Sequence, residues 1–101
     1  MLTLPIKRKW FDMILSGEKT EEYREQTEYY KKRLENLFNK DCKIETEKRK
    51  IAFRNGYKAD SPTFVAVCTW DIGTGKEEWG AETGQQYNRL HIKAIVERRN
   101  C

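Results

Sequence analysis

The sequence predicts a single α+β domain in which two main helices pack on a small, curled, mixed β-sheet of about five or six strands. Two observations lead to this prediction. Apolar residues recur at three- and four-residue spacing in residues 6–15 and 30–38, as in amphipathic helices. They alternate or run together in residues 64–72 and 87–97, as in half-buried and fully buried strands. Composition shows no break along the 101 residues, so we expect one domain over residues 1–101.

The N-terminal part predicts a strand that leads directly into a helix. A short alternating run in residues 2–4 ends at Pro5. In residues 6–15 an apolar stripe that includes Trp10 is opposed by a charged side, and Gly17 follows as a helix stop. Because the stripe needs Trp10, we expect its indole to anchor the core rather than to offer a stacking surface.

Residues 19–24 are the most informative stretch. If they run as a strand, alternate side chains share a face, and Tyr23, the only large apolar body, favours an inward turn of its own face. A hydroxyl, a carboxylate and a guanidinium then share the other face, and the Lys19 ammonium can swing in from the turn. The hydroxyl, the carboxylate and the guanidinium belong to Thr20, Glu22 and Arg24, in that order. Alternatively, the charges only keep a sheet edge from pairing with other strands.

A second helix is predicted after Thr27, which can cap it, because apolar residues recur at helical spacing from Tyr30 to Phe38. Its other face is mostly basic, which suits contact with phosphates or plain solvation. The residues of that face are Lys31, Lys32, Arg33 and Glu35. Asn39-Lys40-Asp41 breaks the helical pattern, and the charge-rich residues 42–50 predict a loop or an exposed leg of a hairpin.

Residues 51–54 predict a short strand, and Asn55-Gly56 behind it signals a turn because both residues tolerate positive φ. Arg54 then stands at the strand end, beside a turn that also holds Tyr57. A guanidinium and a phenol ring close together can bind a phosphate and stack on a base. The same pair can equally be a surface arginine packed on a turn tyrosine.

The second half of the chain predicts a long central strand followed by a loop. Residues 64–68 are apolar on both faces, and residues 69–72 continue the strand. The loop at residues 73–76 is too short for a phosphate loop of the type G-x-x-x-x-G-K-[ST], and a glutamate follows its lysine. We expect this connection to bring Lys76 and Trp79 to one rim of a cleft. There Trp79 either lies pinned under the loop or stacks on a ligand.

Composition limits the classes of partner and cofactor. Twenty Lys and Arg against 16 Asp and Glu leave a net charge of +4, which permits a polyanionic partner without requiring one. The three cysteines are widely spaced and His91 is the only histidine, so we expect no metal site and no cofactor. No apolar run approaches the roughly 20 residues of a membrane span, and no signal peptide is recognisable. We therefore expect a cytoplasmic protein without membrane contact.

Motifs along most of the chain follow the pattern of a known family. A helix with Trp10 and Ile14 is followed by Gly17-Glu18-Lys19-Thr20 and then by Tyr23-Arg24. Further on stand Phe53-Arg54-Asn55-Gly56-Tyr57, Ser61-Pro62 and residues 73–80. Together these motifs resemble the ASCH domains of the PUA-like superfamily, and especially its small phage and prophage members. The resemblance implies a PUA-like β-barrel, a cleft between barrel and helices lined by the G-x-K-T stretch, and a function connected with RNA.

The first function that these observations favour is binding of RNA or a nucleotide in a cationic, aromatic-lined cleft. Cations meet phosphates or base-edge acceptors in this hypothesis, and aromatic rings stack on bases. The binding residues are Lys19, Arg24, Arg54, Tyr57, Lys76 and Trp79. A protein-binding domain that uses the apolar face of the second helix, with Tyr30, Leu34 and Phe38, stays open as an alternative.

The runner-up function is a hydrolase. The resemblance implies that related amidohydrolases, which remove the acetyl group from N4-acetylcytidine, use a lysine, a threonine and a glutamate, and Lys19 matches that lysine. Glu22 stands at the position of the threonine nucleophile, so either Thr20 replaces it or Glu22 acts as general base on a water. A ribonuclease that uses a lysine and a glutamate is a variant of this hypothesis. Candidates for a second carboxylate are Glu77, Glu78 and Glu82.

Overall fold

A computed structural model describes residues 1–38 and 47–101 of the chain. In these residues five strands, two α-helices and one short 3-10 helix follow one another. They are β1 (Thr3–Pro5), α1 (Arg8–Leu15), β2 (Glu21–Arg24), α2 (Glu28–Phe38), β3 (Arg49–Arg54), β4 (Thr63–Thr74), the 3-10 helix (Glu77–Trp79) and β5 (Gln86–Arg99). No helix in this part of the chain has the length and apolar character needed to cross a membrane.

The five described strands form one mixed sheet in the order β1-β3-β4-β5-β2. β1 runs parallel to β3, and every other pair of neighbours is antiparallel. The sheet curls into a half-barrel, with the strands that lie nearest the N-terminus at its two edges. The predicted α+β fold, a small curled mixed sheet with two main helices, is therefore confirmed.

The long β4–β5 hairpin contributes to the curl of the sheet. Its register shifts twice, between Val65 and Ala66 and again between Val67 and Cys68, and each time β5 contributes one extra residue. Such bulges bend a strand and increase its twist. Two of them in close succession help to bring the edge strands β1 and β2 round toward each other.

Both helices pack on the sheet through one apolar cluster. The ring of Phe64 meets Phe11 of α1 edge to face and stacks on Phe53 of β3, with a centroid distance of 5.1 Å in both cases. Leu34 and Phe38 bring the inner face of α2 into the same cluster. The apolar face of α2 is thus covered within the domain, and it is not free to serve as a protein-binding surface.

β3 begins earlier than the sequence predicts. Residues 39–46, where the sequence predicts a helix break and the start of a loop, lie outside the described residues. Arg49 and Lys50 belong to β3, although a loop or hairpin leg is predicted for them. The contacts of Arg49 explain the difference, because its Nε donates to the Leu37 carbonyl at 3.2 Å and its guanidinium pairs with Glu47. These contacts are made outside the strand, so alternation of apolar residues does not reveal them.

Replacing Leu34 by alanine should lower the free energy of unfolding by about 2–5 kcal/mol, because it removes a fully buried side chain between α2 and the sheet. Urea denaturation followed by circular dichroism measures the change. Asn36→Ala, on the exposed side of the same helix, is the control and should change stability by less than about 0.5 kcal/mol. An equally small effect of Leu34→Ala would show that α2 does not dock on the sheet.

Candidate functional site

A cavity of about 530 Å³ opens where the two edges of the sheet approach each other. Its walls come from the β1–α1 connection, the first half of α1, strand β2 and the turn that follows β3. Because β1 lies beside β3, the end of β1 and this turn stand next to each other, and Asn55 Nδ2 fixes them by donating to the Ile6 carbonyl at 2.9 Å. The lining residues are Pro5, Ile6, Lys7, Trp10, Glu22, Tyr23, Arg24, Asn55, Gly56 and Tyr57.

Two cations hold a buried carboxylate at one side of this cavity. Glu22 is 5% exposed, and its Oε1 accepts a hydrogen bond from the Lys19 ammonium, which is 1% exposed. Its Oε2 accepts from Arg24 Nη2 at 2.7 Å. Charges are buried in proteins only when they are paired and hydrogen-bonded in this way. The two cations and one carboxylate leave one positive charge beside the cavity.

Arg24 joins the two edges of the curled sheet. The same Nη2 that contacts Glu22 of β2 also donates to the Pro5 carbonyl of β1 at 2.7 Å, and Nη1 donates to the Tyr30 hydroxyl of α2 at 3.1 Å. Burial acts to lower the pKa of Arg24, but the Glu22 carboxylate and the Tyr30 hydroxyl outweigh it and raise the pKa. The guanidinium is therefore charged whenever the domain is folded.

Lys19 reaches Glu22 because the chain turns sharply after α1. Gly17 adopts a φ of +84°, which favours glycine, and the Lys19 backbone N–H then donates to the Met13 carbonyl at 2.9 Å. The ammonium lies 5.1 Å from the ring centre of Trp10 and 5.4 Å from that of Tyr23. Burial lowers the pKa of Lys19, and the attraction of Glu22 offsets this only in part.

The face of β2 that turns inward is opposite to the predicted one. The sequence favours an inward Tyr23, but the buried side chain is Glu22, and Tyr23 is half-buried on the other face. There its hydroxyl donates to Glu21 Oε1 at 2.9 Å and accepts from the Lys76 backbone N–H at 3.0 Å. Burial raises the pKa of Tyr23 to about 12. Charge compensation by Lys19 and Arg24 is what allows the carboxylate to take the inner position.

The structure brings some of the predicted site residues together and leaves others apart. Glu22, Arg24 and Tyr57 line the cavity, with Lys19 packed behind Glu22. The Tyr57 ring is 93% exposed at the mouth. Thr20, predicted as a nucleophile, has an exposed side chain that is not part of the wall.

Three further predicted binding residues lie off the cavity wall. Arg54 ends β3 with a buried Nε that has no hydrogen-bond partner in the described part of the chain. Lys76 and Trp79 pair with each other on the β4–β5 connection, with the ammonium 4.4 Å from the indole centre. The exposed carboxylates considered for catalysis are elsewhere too, on the same connection: Glu77, Glu78 and Glu82.

The β4–β5 connection nevertheless touches the cavity from behind. Gly80 has a φ of +99°, and a Cβ atom at this position would stand 2.9 Å from Cζ2 of Trp10. The indole of Trp10 is thus held between this backbone and the cavity, and it takes part both in core packing and in the wall. Sequence periodicity assigns Trp10 to the core alone. No local pattern reveals its second role, which depends on where β2 and the turn after β3 lie.

A polar cluster on the opposite face of the sheet ties β2, β5 and β4 together. Asp71 accepts from Arg89 Nε and Nη2, each at 2.8 Å, and lies 2.9 Å from His91 Nε2. His91 Nδ1 is 3.8 Å from a carboxylate oxygen of Glu21. Burial acts to raise the pKa of Asp71, but the hydrogen bonds from Arg89 and His91 outweigh it, so the pKa is lowered. These contacts are satisfied within the sheet and hold β2 in place.

In residues 1–38 and 47–101, no cluster of three or more His, Cys, Asp or Glu side chains could hold a metal ion. Comparison of the chain with protein-family models, with curated proteins and with solved structures gave no match. The resemblance to ASCH domains therefore stays a prediction.

The Lys19 ammonium should lose its proton below the ordinary lysine value of 10.5, because burial lowers its pKa in the folded state. Between the folded and unfolded pKa values the unfolded chain binds more protons, so the contribution of Lys19 to stability rises with pH in that window. The ¹³Cε shifts of the lysines, followed by NMR from neutral to alkaline pH, measure the titration. Lys19→Met identifies the signal, and a titration at or above the ordinary value would contradict the prediction.

Proposed function

We propose that the chain binds RNA or a nucleotide, with one nucleotide unit in the cavity beside β2. The observation that supports this most directly is the combination of aromatic walls with fixed positive charge. Trp10 and Tyr57 offer ring surfaces, and Arg24 and Lys7 offer cations, within one cavity of about 530 Å³. This volume is in the usual range for small-molecule sites, which is about 300–1,000 Å³.

The chemistry of the walls matches the two parts of a nucleotide. A base is a flat apolar ring with polar edges, and stacking on aromatic side chains stabilises its binding. The exposed Tyr57 ring at the mouth can close over such a base, and the Glu22 carboxylate can accept from an amino or imino N–H on its edge. A phosphate is attracted by Lys7 and by the uncompensated charge of the Lys19, Glu22 and Arg24 group.

The charge of the whole chain supports the same assignment. The net charge is +4, and Lys7 and Lys9 of the α1 entrance are exposed close to Trp10. The Lys9 ammonium lies 4.7 Å from the ring centre of Trp10. An anionic ligand would therefore be attracted toward the cavity before it makes contact. The resemblance of the G-x-K-T stretch to ASCH domains agrees with a function connected with RNA.

Ribonucleoside 5′-monophosphates should shift the indole N–H signal of Trp10 in ¹H–¹⁵N NMR spectra, because they bind against its ring. Tyr57→Ala should weaken this binding about 5- to 150-fold, since one base stack contributes about 1–3 kcal/mol. Tyr57→Phe keeps the ring and should bind as the parent chain does. Absence of any shift at millimolar ligand and low salt would overturn the proposal.

Hydrolysis is the second candidate function, and one observation favours it. The Glu22 carboxylate faces the cavity while it contacts Lys19, whose pKa is lowered by burial. In an amidohydrolase, Glu22 would take a proton from a water that attacks the acetyl carbonyl of N4-acetylcytidine. The C–N bond then breaks, acetate and cytidine leave, and the proton passes to the departing amine. Water is the nucleophile in this route, which agrees with the position of the Thr20 side chain off the wall.

Incubation with N4-acetylcytidine, followed by chromatography, tests this candidate by the release of cytidine and acetate. Glu22→Gln should reduce the rate by about 100-fold or more, because it removes the base. Thr20→Val should leave the rate unchanged. Loss of activity in this variant would identify a threonine nucleophile instead. An unmodified RNA in the same assay tests the ribonuclease variant. If the parent chain releases no product from either substrate, both hydrolase hypotheses are excluded.

A further inference from the structure

One exposed stripe of α2 combines an aromatic ring, two cations and an amide. The spacing of three and four residues places its members on the same side of the helix, and all of them are exposed. The Tyr29 stripe, as we call it, consists of Tyr29, Lys32, Arg33 and Asn36. The side chain of Tyr29 is 50% exposed, and the Arg33 guanidinium lies 3.4 Å from its ring centre.

The carboxylates of α2 lie on a different stripe. Glu28 and Glu35 share a side of the helix with Lys31, where all three line a separate cavity of about 340 Å³. The Tyr29 stripe therefore contains two cations and no carboxylate, while the neighbouring stripe is mixed. Along the sequence the cations stand together at residues 31–33, between Glu28 and Glu35, so the separation appears only on the helix surface.

A continuous chain of contacts links the Tyr29 stripe to the cavity beside β2. Arg24, which lines that cavity, donates to the Tyr30 hydroxyl at 3.1 Å. The Tyr30 ring meets the Tyr29 ring edge to face, with a centroid distance of 5.0 Å and an interplanar angle of 81°. Arg33 covers Tyr29 in turn, and its Nη1 donates to the Tyr29 carbonyl at 3.1 Å. A cation, two rings and a second cation thus follow one another from the cavity to the surface of α2.

We propose that the Tyr29 stripe is a second subsite, which holds the nucleotide units next to the one in the cavity. The ligand is then a single RNA strand rather than a free nucleotide, and this inference rests on the proposed function. Tyr29 would stack on an adjoining base, and Lys32 and Arg33 would contact the phosphates on either side of it. A single strand fits because its bases are free to stack, whereas those of a duplex are already paired.

The existing contacts order the side chains of this subsite before an RNA strand binds. The ring of Tyr29 is held by Tyr30 on one side and by Arg33 on another, so little side-chain freedom is lost on binding. An acidic protein segment would satisfy Lys32 and Arg33 but would leave the exposed ring without a flat partner. The continuity of the Tyr29 stripe with the cavity also favours RNA, since one strand can place a base against the aromatic rings of both.

The test compares ligands of different length on variants of the full chain. The ligands are the four ribonucleoside 5′-monophosphates and the hexamers of adenylate, cytidylate and uridylate, with NMR and fluorescence anisotropy as readouts. Hexamers should bind more tightly than monophosphates. Tyr29→Ala should weaken hexamer binding about 5- to 150-fold and leave monophosphate binding unchanged, because one stack is lost outside the cavity. Tyr29→Phe should retain the affinity for hexamers.

Salt dependence supplies an independent readout. Arg33→Gln should reduce the slope of log affinity against log salt by about 0.7, the value for one phosphate contact on a single strand. Lys50→Gln is the matched control, because Lys50 is exposed on β3 and points away from the side on which its neighbour Arg49 contacts α2. That variant should leave the slope unchanged. Equal changes for the two variants would reveal a general charge effect and overturn the subsite.

The remaining outcomes separate this inference from the proposed function. If monophosphates bind but hexamers bind no tighter, or Tyr29→Ala leaves hexamer affinity intact, the second subsite is wrong and the cavity assignment stands. If neither class of ligand shifts the Trp10 indole signal, the proposed function itself fails. If polyglutamate perturbs the signals of Tyr29 and Arg33 while hexamers do not, the stripe binds protein and the RNA assignment is overturned.

Discussion

The Arg24 guanidinium connects the two edges of the sheet beside the candidate site. Arg24 of β2 donates both to the Pro5 carbonyl of β1 and to Glu22, so strands at opposite ends of the sheet order meet on one side chain. The cavity occupies the space that this contact leaves between the converging edges. The positive charge of the cavity thus comes in part from the side chain that joins the two edges.

Local signals in the sequence predict the elements well, since they depend on residues close together in the chain. Gly17 ends a helix through its own backbone freedom, and at the Asn55-Gly56 turn Gly56 adopts a positive φ of +132° in the same way. The inner face of β2 is different, because it depends on two cations that pair with Glu22. Tyr23 is the better candidate by polarity alone. Only the three-dimensional pairing shows that the carboxylate is compensated and can be buried.

The grouping of the predicted site residues shows the same limit. Lys19, Glu22, Arg24 and Tyr57 come together because β1 lies beside β3 and because the sheet curls, and neither fact is encoded in a short stretch of sequence. Arg54, Lys76 and Trp79 share the right chemistry but lie off this wall. A buried ion pair is also a weak source of stability compared with apolar packing.

The contact between Gly80 and Trp10 has a practical consequence for work on this chain. Surface connections such as the one between β4 and β5 usually tolerate inserted sequences. Here the backbone at Gly80 leaves no room for even one added carbon atom against the indole. An epitope tag or a fluorescent reporter grafted at this position would displace the aromatic wall of the cavity, so labels are better attached at the C-terminus, where the last residues are exposed.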